Sequence, residues 1–429
     1  MPCCLTTCLS EGRSVPGRYR NMKMLSRYSY HYLAGILLLV VAGLIWLPNA
    51  AARNAWSIAF ASNFQEGTQL PDEVLSFPQS HQRARLWLAK DALANNQPEV
   101  AQALIADLAK QGDIHALDIL GDIQLAEGDF DEAVQTWTEA GQFNRLLETA
   151  RTARDVGQFE DALLAYQAAW GIDIDVVTEE LIHFLQWQYG DRDLAISILK
   201  EALAKRPGSL ERVKWMLLLG DELREAERWE EAERVYREVL ALQPDNIPAH
   251  IGLGRAFYGR GDGLEAALKE LQEAIQLDPD FGDPYFAAAQ ILAGDGNFTE
   301  SDDWFVKAID RNPEVPWYRV ERGKIARIAG DNDAAIEIFL EAADLFPEWA
   351  FIYYELALSH KLNDHPQEAI QAIEKGISVM QPPNVLFYIR AGQIYEWVNF
   401  LDEARQAYQN ALLIDPTNQE ALQGLQRVE

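Results

Sequence analysis

Cysteine is almost absent from this chain of 429 residues. The only three, Cys3, Cys4 and Cys8, lie within the first eight residues. A disulfide framework and a thiolate metal site both need cysteines at spaced positions along a fold. The composition therefore excludes both over the rest of the chain. The three cysteines themselves are consistent with acylation on the cytoplasmic side, or with a leader that is untranslated or unstructured.

Basic residues are also scarce, with 37 Lys and Arg against 66 Asp and Glu and a net charge of −29. Binding to nucleic acid needs a basic face that neutralises phosphates, so no nucleic-acid partner is expected. Most of the acids are expected on solvated helix faces, as in the run "ELREAERWEEAERVYREV" at 222–239. There they keep a large protein soluble.

Motifs of catalysis are missing as well. The sequence has no P-loop, no G-x-S-x-G elbow and no glycine-rich dinucleotide fingerprint after a strand. The seven histidines are scattered, and His360 and His365 are five residues apart rather than the four of a helical metal pair. We therefore predict a protein that is not an enzyme, with no catalytic residues, no metal site and no cofactor.

Prolines recur at a near-constant interval in the C-terminal half of the chain. They close repeats of 34 or 35 residues at Pro244, Pro279, Pro313, Pro347, Pro382 and Pro416. Each repeat holds an early small residue, at Gly220, Gly254, Ala289, Gly323, Ala357 and Gly392. A second small residue follows, at Ala232, Ala267, Ser301, Ala335, Ala369 and Ala404. Small residues let two helices approach closely, and a proline stops the second helix.

A bulky residue completes the pattern four positions after the second small one, at Tyr236, Leu271, Phe305, Phe339, Ile373 and Tyr408. The whole pattern resembles the tetratricopeptide repeat, a helix-turn-helix unit of this length. The resemblance implies an all-α fold, a right-handed α-solenoid of about ten repeats stacked on their neighbours. In the turns between helices, Gly296 and Gly330 are expected to have positive φ.

The repeats are less regular towards the N-terminus. The spacing from Ala133 to Ala162 is 29 residues and that from Ala195 to Ala232 is 37, so helix lengths are expected to vary there. We predict degenerate repeats at 82–212, six regular repeats at 213–418 and a polar capping helix at 419–429. No run of β-branched residues between 82 and 429 supports a mixed α/β enzyme instead.

Residues 32–48 are apolar and uncharged, which predicts a transmembrane helix at the lower length limit for a bilayer. The leader at 1–31 carries five basic residues and one acid, so we expect the N-terminus in the cytoplasm and the repeats outside it. Residues 49–81 read as a juxtamembrane linker. An alternative is a cleaved signal peptide with its site near Ala52, which would leave a secreted or periplasmic protein.

In tetratricopeptide arrays the first helix of each repeat lines a groove, so the resemblance assigns groove positions to this chain. Basic and aromatic residues predominate among the candidates for peptide binding: Lys214, Arg224, Arg255, Tyr258, Phe286, Trp317, Lys324, Arg327, Tyr354 and Lys361. Such a lining suits an extended peptide with acidic groups or a free C-terminus. The other interpretation is that Arg224, Arg255 and Arg327 only pair with acids of adjacent repeats.

The function expected from these features is a non-catalytic scaffold or adaptor. It would be anchored in a membrane, with its groove outside the cytoplasm, and would bind peptide segments of partner proteins during assembly of an envelope or membrane complex. The alternative is an accessory subunit that docks substrates for a membrane glycosyltransferase or another system that modifies polysaccharides or proteins. Chemistry would then lie on another chain.

Overall fold

The computed structural model describes residues 82–429, and every regular element in that range is helical. The predicted leader, transmembrane helix and linker at 1–31, 32–48 and 49–81 lie outside the described residues. Within 82–429, no helix combines the length and the apolar composition needed to cross a bilayer. The chain divides into two compact parts at Asp173 and Ile174, called here the N-terminal segment (82–173) and the C-terminal segment (174–429).

The N-terminal segment consists of three helical hairpins. Its helices are α1 Gln82–Ala94, α2 Pro98–Lys110, α3 Ile114–Glu127, α4 Phe130–Glu139, α5 Phe143–Asp155 and α6 Phe159–Ile172. Trp137 of α4 is buried and its indole N–H donates to the Asp118 carbonyl at 3.1 Å. A Cβ on Gly121 would meet this ring at 2.3 Å. Trp137 therefore occupies the position in its repeat that bulky residues occupy in the regular ones.

The C-terminal segment consists of seven hairpins and a final helix. Its first helices are α7 Ile174–Phe184, extended by a π-helical turn Leu185–Tyr189, then α8 Arg192–Lys205, α9 Arg212–Glu225, α10 Trp229–Leu242, α11 Ile247–Arg260, α12 Leu264–Leu277, α13 Asp283–Gly294 and α14 Phe298–Arg311. The remainder are α15 Pro316–Ile328, α16 Asn332–Leu345, α17 Ala350–Leu362, α18 Pro366–Val379, α19 Val385–Trp397, α20 Leu401–Ile414 and α21 Gln419–Val428.

In the regular repeats at Gly220, Gly254, Gly323 and Gly392, a first helix packs on a second one through the predicted small-to-bulky contact. Built Cβ atoms on Gly323 and Gly392 would lie 2.6 Å from the rings of Phe339 and Tyr408. The rings therefore use the space that a side chain on the first helix would fill. In the turns, Gly296 and Gly330 have φ of +85° and +88°, as predicted for a helix C-terminus.

The irregular spacings noted in the sequence have two structural causes. The 29-residue interval contains α4, which has ten residues where α6 has fourteen. The 37-residue interval instead contains a longer connection, because residues 206–211 join α8 to α9 where residues 243–246 join α10 to α11. Helix lengths do vary, as expected, but connections absorb part of the difference.

Candidate peptide-binding groove

The predicted groove residues lie on the first helices of successive repeats in the C-terminal segment. Lys214 and Arg224 are on α9, Arg255 and Tyr258 on α11, Phe286 on α13, Trp317, Lys324 and Arg327 on α15, and Tyr354 and Lys361 on α17. Packing brings α9 against α11, α11 against α13, and α15 and α19 against α17. Residues 30 or more positions apart in the sequence thus become neighbours along one face.

Several groove cations are paired with carboxylates. Lys214 donates to Glu179 of the preceding repeat, and this hydrogen bond raises the pKa of the lysine. Arg327 lies 2.7 Å from Glu355 of the next repeat, with side-chain exposures of 14% and 5%. Lys324 donates to Glu321 one turn earlier on its own helix. Their charges are largely neutralised within the protein.

Arg224 and Arg255 are only partly satisfied by their ion-pair and hydrogen-bond partners. Arg224 contacts Glu225 at 2.8 Å and Asp221 at 3.8 Å, while its buried Nε has no hydrogen-bond partner. Arg255 donates from Nη2 to the side-chain oxygen of Gln290 at 3.0 Å. Burial lowers the pKa of Arg255, and the nearby positive charge of Arg224 lowers it further.

Burial also acts to lower the pKa of Arg224, but its anionic surroundings outweigh that effect. The Tyr236 hydroxyl and the carboxylates of Asp221 and Glu225 leave the pKa of Arg224 raised. Asp221 in turn accepts a hydrogen bond from Tyr236 at 2.8 Å. The two arginines therefore differ: Arg224 has carboxylates beside it, whereas Arg255 has an amide.

Two further predicted residues, Tyr258 and Lys361, rest against residues of neighbouring repeats. The hydroxyl of Tyr258 lies where a Cβ on Gly294 would come within 2.6 Å, and burial raises the pKa of this tyrosine, with Asp295 adding to the effect. Lys361 places its ammonium 5.7 Å from the centre of the Trp397 ring. Both side chains remain partly exposed.

Phe286 is the predicted residue that lies deepest in the protein. Its ring stacks on Tyr318 with centroids 4.9 Å apart and meets Phe305 edge-on at 5.7 Å. Only 7% of its surface is exposed. The structure thus places this ring in the core between repeats, and its contact with a ligand stays a prediction.

Four aromatic residues at the start of α15 and α17 form a partly exposed group, the aromatic cluster: Trp317, Trp349, Phe351 and Tyr354. Trp317 is 39% exposed and stacks on Phe351 at 6.1 Å between centroids. Trp349 lies 6.2 Å from Trp317, and Tyr354 lies 6.0 Å from Phe351. These separations are typical of favourable aromatic pairs, so the cluster forms one continuous apolar surface.

An open cavity of about 290 Å³ adjoins the aromatic cluster, between the N-terminal ends of α17 and α19. It is lined by Glu348, Trp349, Ala350, Phe351, Tyr354, Met380, Gln381, Asn384, Leu386, Phe387 and Arg390. Sequence reasoning found Tyr354 but missed Trp349 and Arg390, because the family's groove positions do not include them. The aromatic composition of "EWAFIYY" at 348–354 is the signal that would have indicated Trp349.

The described residues offer little that points to metal binding. Within 82–429, no group of three or more His, Cys, Asp or Glu side chains is placed to hold a metal ion. The rings of His360 and His365 lie 5.8 Å apart, and burial lowers the pKa of His360. The side chains of the groove can instead supply apolar contacts and hydrogen bonds to a ligand.

Comparison with known proteins places these hairpins in a family. The tetratricopeptide repeat family model matches residues 86–143, 185–246, 217–281 and 285–349, which together make just over half of the chain. TPR repeat-containing protein YpiA of Bacillus subtilis is 22% identical over 304 residues, which cover 70% of this chain and 67% of that protein.

Other relatives match over shorter regions. Tetratricopeptide repeat protein 6 of Homo sapiens is 25% identical over 196 residues, 45% of this chain and 37% of that protein. Protein O-mannosyl-transferase TMTC2 of Homo sapiens is 33% identical over 98 residues, 23% of this chain and 12% of that protein. The chain thus spans little more than a third of the former and about an eighth of the latter. With its family-model matches and its small-to-bulky helix contacts, this chain belongs to the tetratricopeptide repeat family.

Proposed function

We propose that this protein is a non-catalytic scaffold that binds extended peptide segments of partner proteins in the groove of its C-terminal segment. The observation that carries the proposal is the aromatic cluster beside the open cavity. Exposed aromatic rings grouped around a concave site are the usual anchors of protein recognition. Packing in the core alone does not account for the position of Trp317, because 39% of its surface is exposed.

The groove offers two kinds of contact that suit an extended peptide. The aromatic cluster and Leu386, which is 52% exposed, provide apolar surface for side chains of the ligand. Basic residues on other parts of the first helices, Arg255 on α11 and Lys324 on α15, provide hydrogen-bond donors. A peptide with apolar side chains and an acidic group is complementary to both.

Selection of ligands tests this proposal. The purified full chain is used to select binders from a library of random 12-residue peptides displayed with free C-termini, and synthetic copies are titrated by fluorescence anisotropy. We expect Trp317→Ala to weaken binding at least tenfold, because aromatic anchors contribute about 2 kcal/mol or more at such sites.

Trp187→Ala provides the matched control, since Trp187 is 82% exposed and lies on the π-helical turn, away from the predicted groove positions. It should leave binding unchanged. Equal affinities of the two variants, or a selection that returns no binding peptide, would contradict the proposed function.

We further propose that residues 32–48 anchor the protein with its repeats outside the cytoplasm. The support is the uncharged apolar run and the excess of basic residues before it. Protease added to intact cells, after any outer barrier is opened, should cleave the repeats. Protection of the repeats from protease would contradict their proposed location outside the cytoplasm. A mature N-terminus near Ala52 would show that residues 32–48 belong to a cleaved signal peptide rather than to an anchor.

A second candidate function is docking of substrates for a transferase carried on another chain. The similarity to TMTC2, a protein named as an O-mannosyl-transferase, covers only 12% of that protein, which is consistent with a shared repeat region rather than shared chemistry. Copurification of a membrane glycosyltransferase with the full chain would favour this candidate. Copurification with non-enzymatic membrane proteins alone would favour the scaffold.

A further inference from the structure

A second open cavity, of about 450 Å³, lies among helices α14, α15 and α16 and is called here the outer cavity. The residues that line it from α15 are Arg322, Ile325, Ala326 and Ala329. With about 3.6 residues per turn, these side chains lie on the face of α15 opposite to its groove residues. The volume is within the range of about 300–1,000 Å³ that is typical of ligand sites.

A small residue accounts for part of this space. Ala326 lies three positions after Gly323, the small residue of its first helix. The same position in the other five regular repeats carries a larger side chain: Leu223, Phe257, Leu292, His360 and Tyr395. All of these except His360 are buried, whereas Ala326 is partly exposed and lines the cavity. This repeat therefore lacks the side chain that fills the corresponding place in the others.

The inner wall of the outer cavity is apolar. Phe305 of α14 and Ile338 of α16 are buried, and Phe298 and Ile325 beside them are partly exposed. Leu340, which is 47% exposed, lies three residues after a cavity residue of α16 and extends the apolar surface outwards. Such a wall gains free energy when apolar groups of a partner cover it.

The rim of the outer cavity is acidic. Arg322 donates two hydrogen bonds to Asp302, at 2.6 Å and 2.9 Å, so these two charges neutralise each other. Three more carboxylates line the cavity, those of Asp331, Glu337 and Glu341. In the part of the chain that the structure describes, no basic side chain lies within ion-pair distance of Asp331 or Glu337. The rim therefore carries an excess of negative charge.

We infer that the outer cavity binds a segment of a partner protein that presents a Lys or Arg side chain beside apolar ones. The stem of such a side chain packs along apolar surface while its charged head stays near water. Ile325 and Ala326 provide surface for the stem, and Glu337 at the rim provides a carboxylate for the head. The same charge disfavours acidic segments. The cavity is separate from the groove, so this inference goes beyond the proposed function and does not depend on it.

A selection that depends on the cavity tests this inference. A library of random 12-residue peptides is cleared on the full chain carrying Trp317→Ala and Ala326→Leu, which removes peptides that bind elsewhere. It is then selected on the full chain carrying Trp317→Ala alone. We expect the retained peptides to hold a Lys or Arg next to apolar residues. Ala326→Leu should unfold at the same temperature as the unmodified protein or at a higher one, because it fills a cavity.

The affinities of the retained peptides test the apolar wall. Synthetic copies are titrated by fluorescence anisotropy against the unmodified full chain and its variants. Ala326→Leu should weaken binding at least about tenfold, because burial of an apolar side chain supplies much of the affinity. Ala241→Leu is the matched control, since Ala241 is an exposed residue of α10 outside the cavity. It should leave the dissociation constant unchanged.

The acidic rim is tested in the same titrations. Glu337→Gln should raise the dissociation constant about two- to fivefold, as expected for a partly exposed ion pair, and should make it less sensitive to salt. Replacement of the basic residue of the peptide by Met should cause the same loss, with no further effect of Glu337→Gln. Glu273→Gln removes an exposed carboxylate of α12 outside the cavity and should change nothing.

If Ala326→Leu unfolds early, Glu337→Lys provides a second test, because an added ammonium group at the rim repels the basic segment. A selection that retains no peptide, or only peptides without Lys and Arg, would overturn this inference. Equal affinities of the Ala326→Leu and Ala241→Leu variants would also overturn it, as would equal affinities of Glu337→Lys and the unmodified protein. None of these results bears on the groove, which the comparison of Trp317→Ala with Trp187→Ala tests separately.

Discussion

At the scale of single residues, partners from neighbouring repeats determine which charged groups are available. Arg327 is a groove cation that is not available to a ligand, because it is paired with Glu355. They belong to helices α15 and α17, lie 2.7 Å apart and are both largely buried. A buried pair of this kind contributes little net stability, but loss of one member leaves an unpaired charge in the protein interior.

Replacement of Arg327 by Ala should therefore destabilise the repeats around it. We expect local opening of α15 and α17 to become easier by about 3–5 kcal/mol, measured by hydrogen exchange of their backbone amides. The double variant with Met at both 327 and 355 should recover most of this loss, because it removes both charges.

The exposed pair of Lys200 and Glu231, 44% and 32% exposed at 2.9 Å, is the matched control for that experiment. Lys200→Ala should cost about 1 kcal/mol or less. If Arg327→Ala and Lys200→Ala lose equal stability, burial is not the reason why the Arg327–Glu355 pair is sensitive to loss of one member.

At the scale of helices, glycine and aromatic residues determine how closely neighbouring helices pack. The ring of Tyr236 on α10 lies between Gly220 on α9 and Gly252 on α11. Built Cβ atoms at these two glycines would come within 2.5 Å and 2.3 Å of the ring. The ring is buried between the three helices, so it cannot swing out into solvent without opening their contact.

Gly252→Ala should consequently overpack this interface. We expect a loss of about 1–3 kcal/mol, seen as reduced amide protection in α10 and α11. Gly208→Ala is the control, because a Cβ at that position meets no atom within 4 Å and surface changes of this kind cost about 0.5 kcal/mol or less. Equal protection in the two variants would show that the crossing tolerates a methyl group.

The final helix, α21, is held partly by an ion pair that responds to pH. Glu396 accepts from Nε and Nη2 of Arg427 at 2.8 Å and 3.0 Å. Hydrogen bonds from Arg427 lower the pKa of Glu396 below its ordinary value of 4.5, and the Tyr408 hydroxyl adds to this. A carboxylate with a lowered pKa stabilises the fold above the ordinary value and ceases to do so as the pH falls through the lowered one.

Amides of α21 should therefore lose protection as the pH falls below about 4.5, after correction for intrinsic exchange rates. Because both side chains are partly exposed, the effect should be at most about 1 kcal/mol. Glu396→Gln should lack this part of the pH dependence. An identical pH profile in the variant would assign it to other carboxyl groups.

At the scale of the whole molecule, each repeat is stabilised by contacts with its neighbours in the chain. The last hairpin, α19 with α20, depends on α21 for one of its faces. Ala421 and Val428 of α21 are buried, Gly424 lies against the Tyr408 ring, and Arg405 donates to the Val428 carbonyl at 2.8 Å. Helix α21 thus covers part of the last hairpin, and the capping role expected of residues 419–429 stays a prediction.

Deletion of residues 419–429 should have a local effect that fades with distance along the repeats. Amides of α19 and α20 should lose protection at least about tenfold, because each apolar side chain exposed costs about 1.5–3 kcal/mol. Amides of α11 and α12 should keep their protection from hydrogen exchange, because these helices do not contact the deleted segment. Uniform loss of protection across the C-terminal segment would indicate a single cooperative unit instead.

The local pattern of the sequence was sufficient for the repeat architecture. Proline spacing, small residues and bulky residues predicted the helix pairs, and Tyr408 over Gly392 shows the contact that they imply. The positive φ of Gly330 was equally predictable. These features depend on residues within one repeat, and their recurrence every 34 or 35 residues made them recognisable in the sequence.

The availability of groove residues was decided by tertiary structure alone. Arg327 pairs with Glu355, 28 positions away, whereas Arg255 donates to the side-chain oxygen of Gln290, 35 positions away. Phe286 is buried and Trp317 is exposed although both are aromatic residues on first helices. The reason is physical: side chains on one repeat are covered or paired by the next, and that outcome depends on the packing of the two repeats rather than on the pattern that each repeat carries.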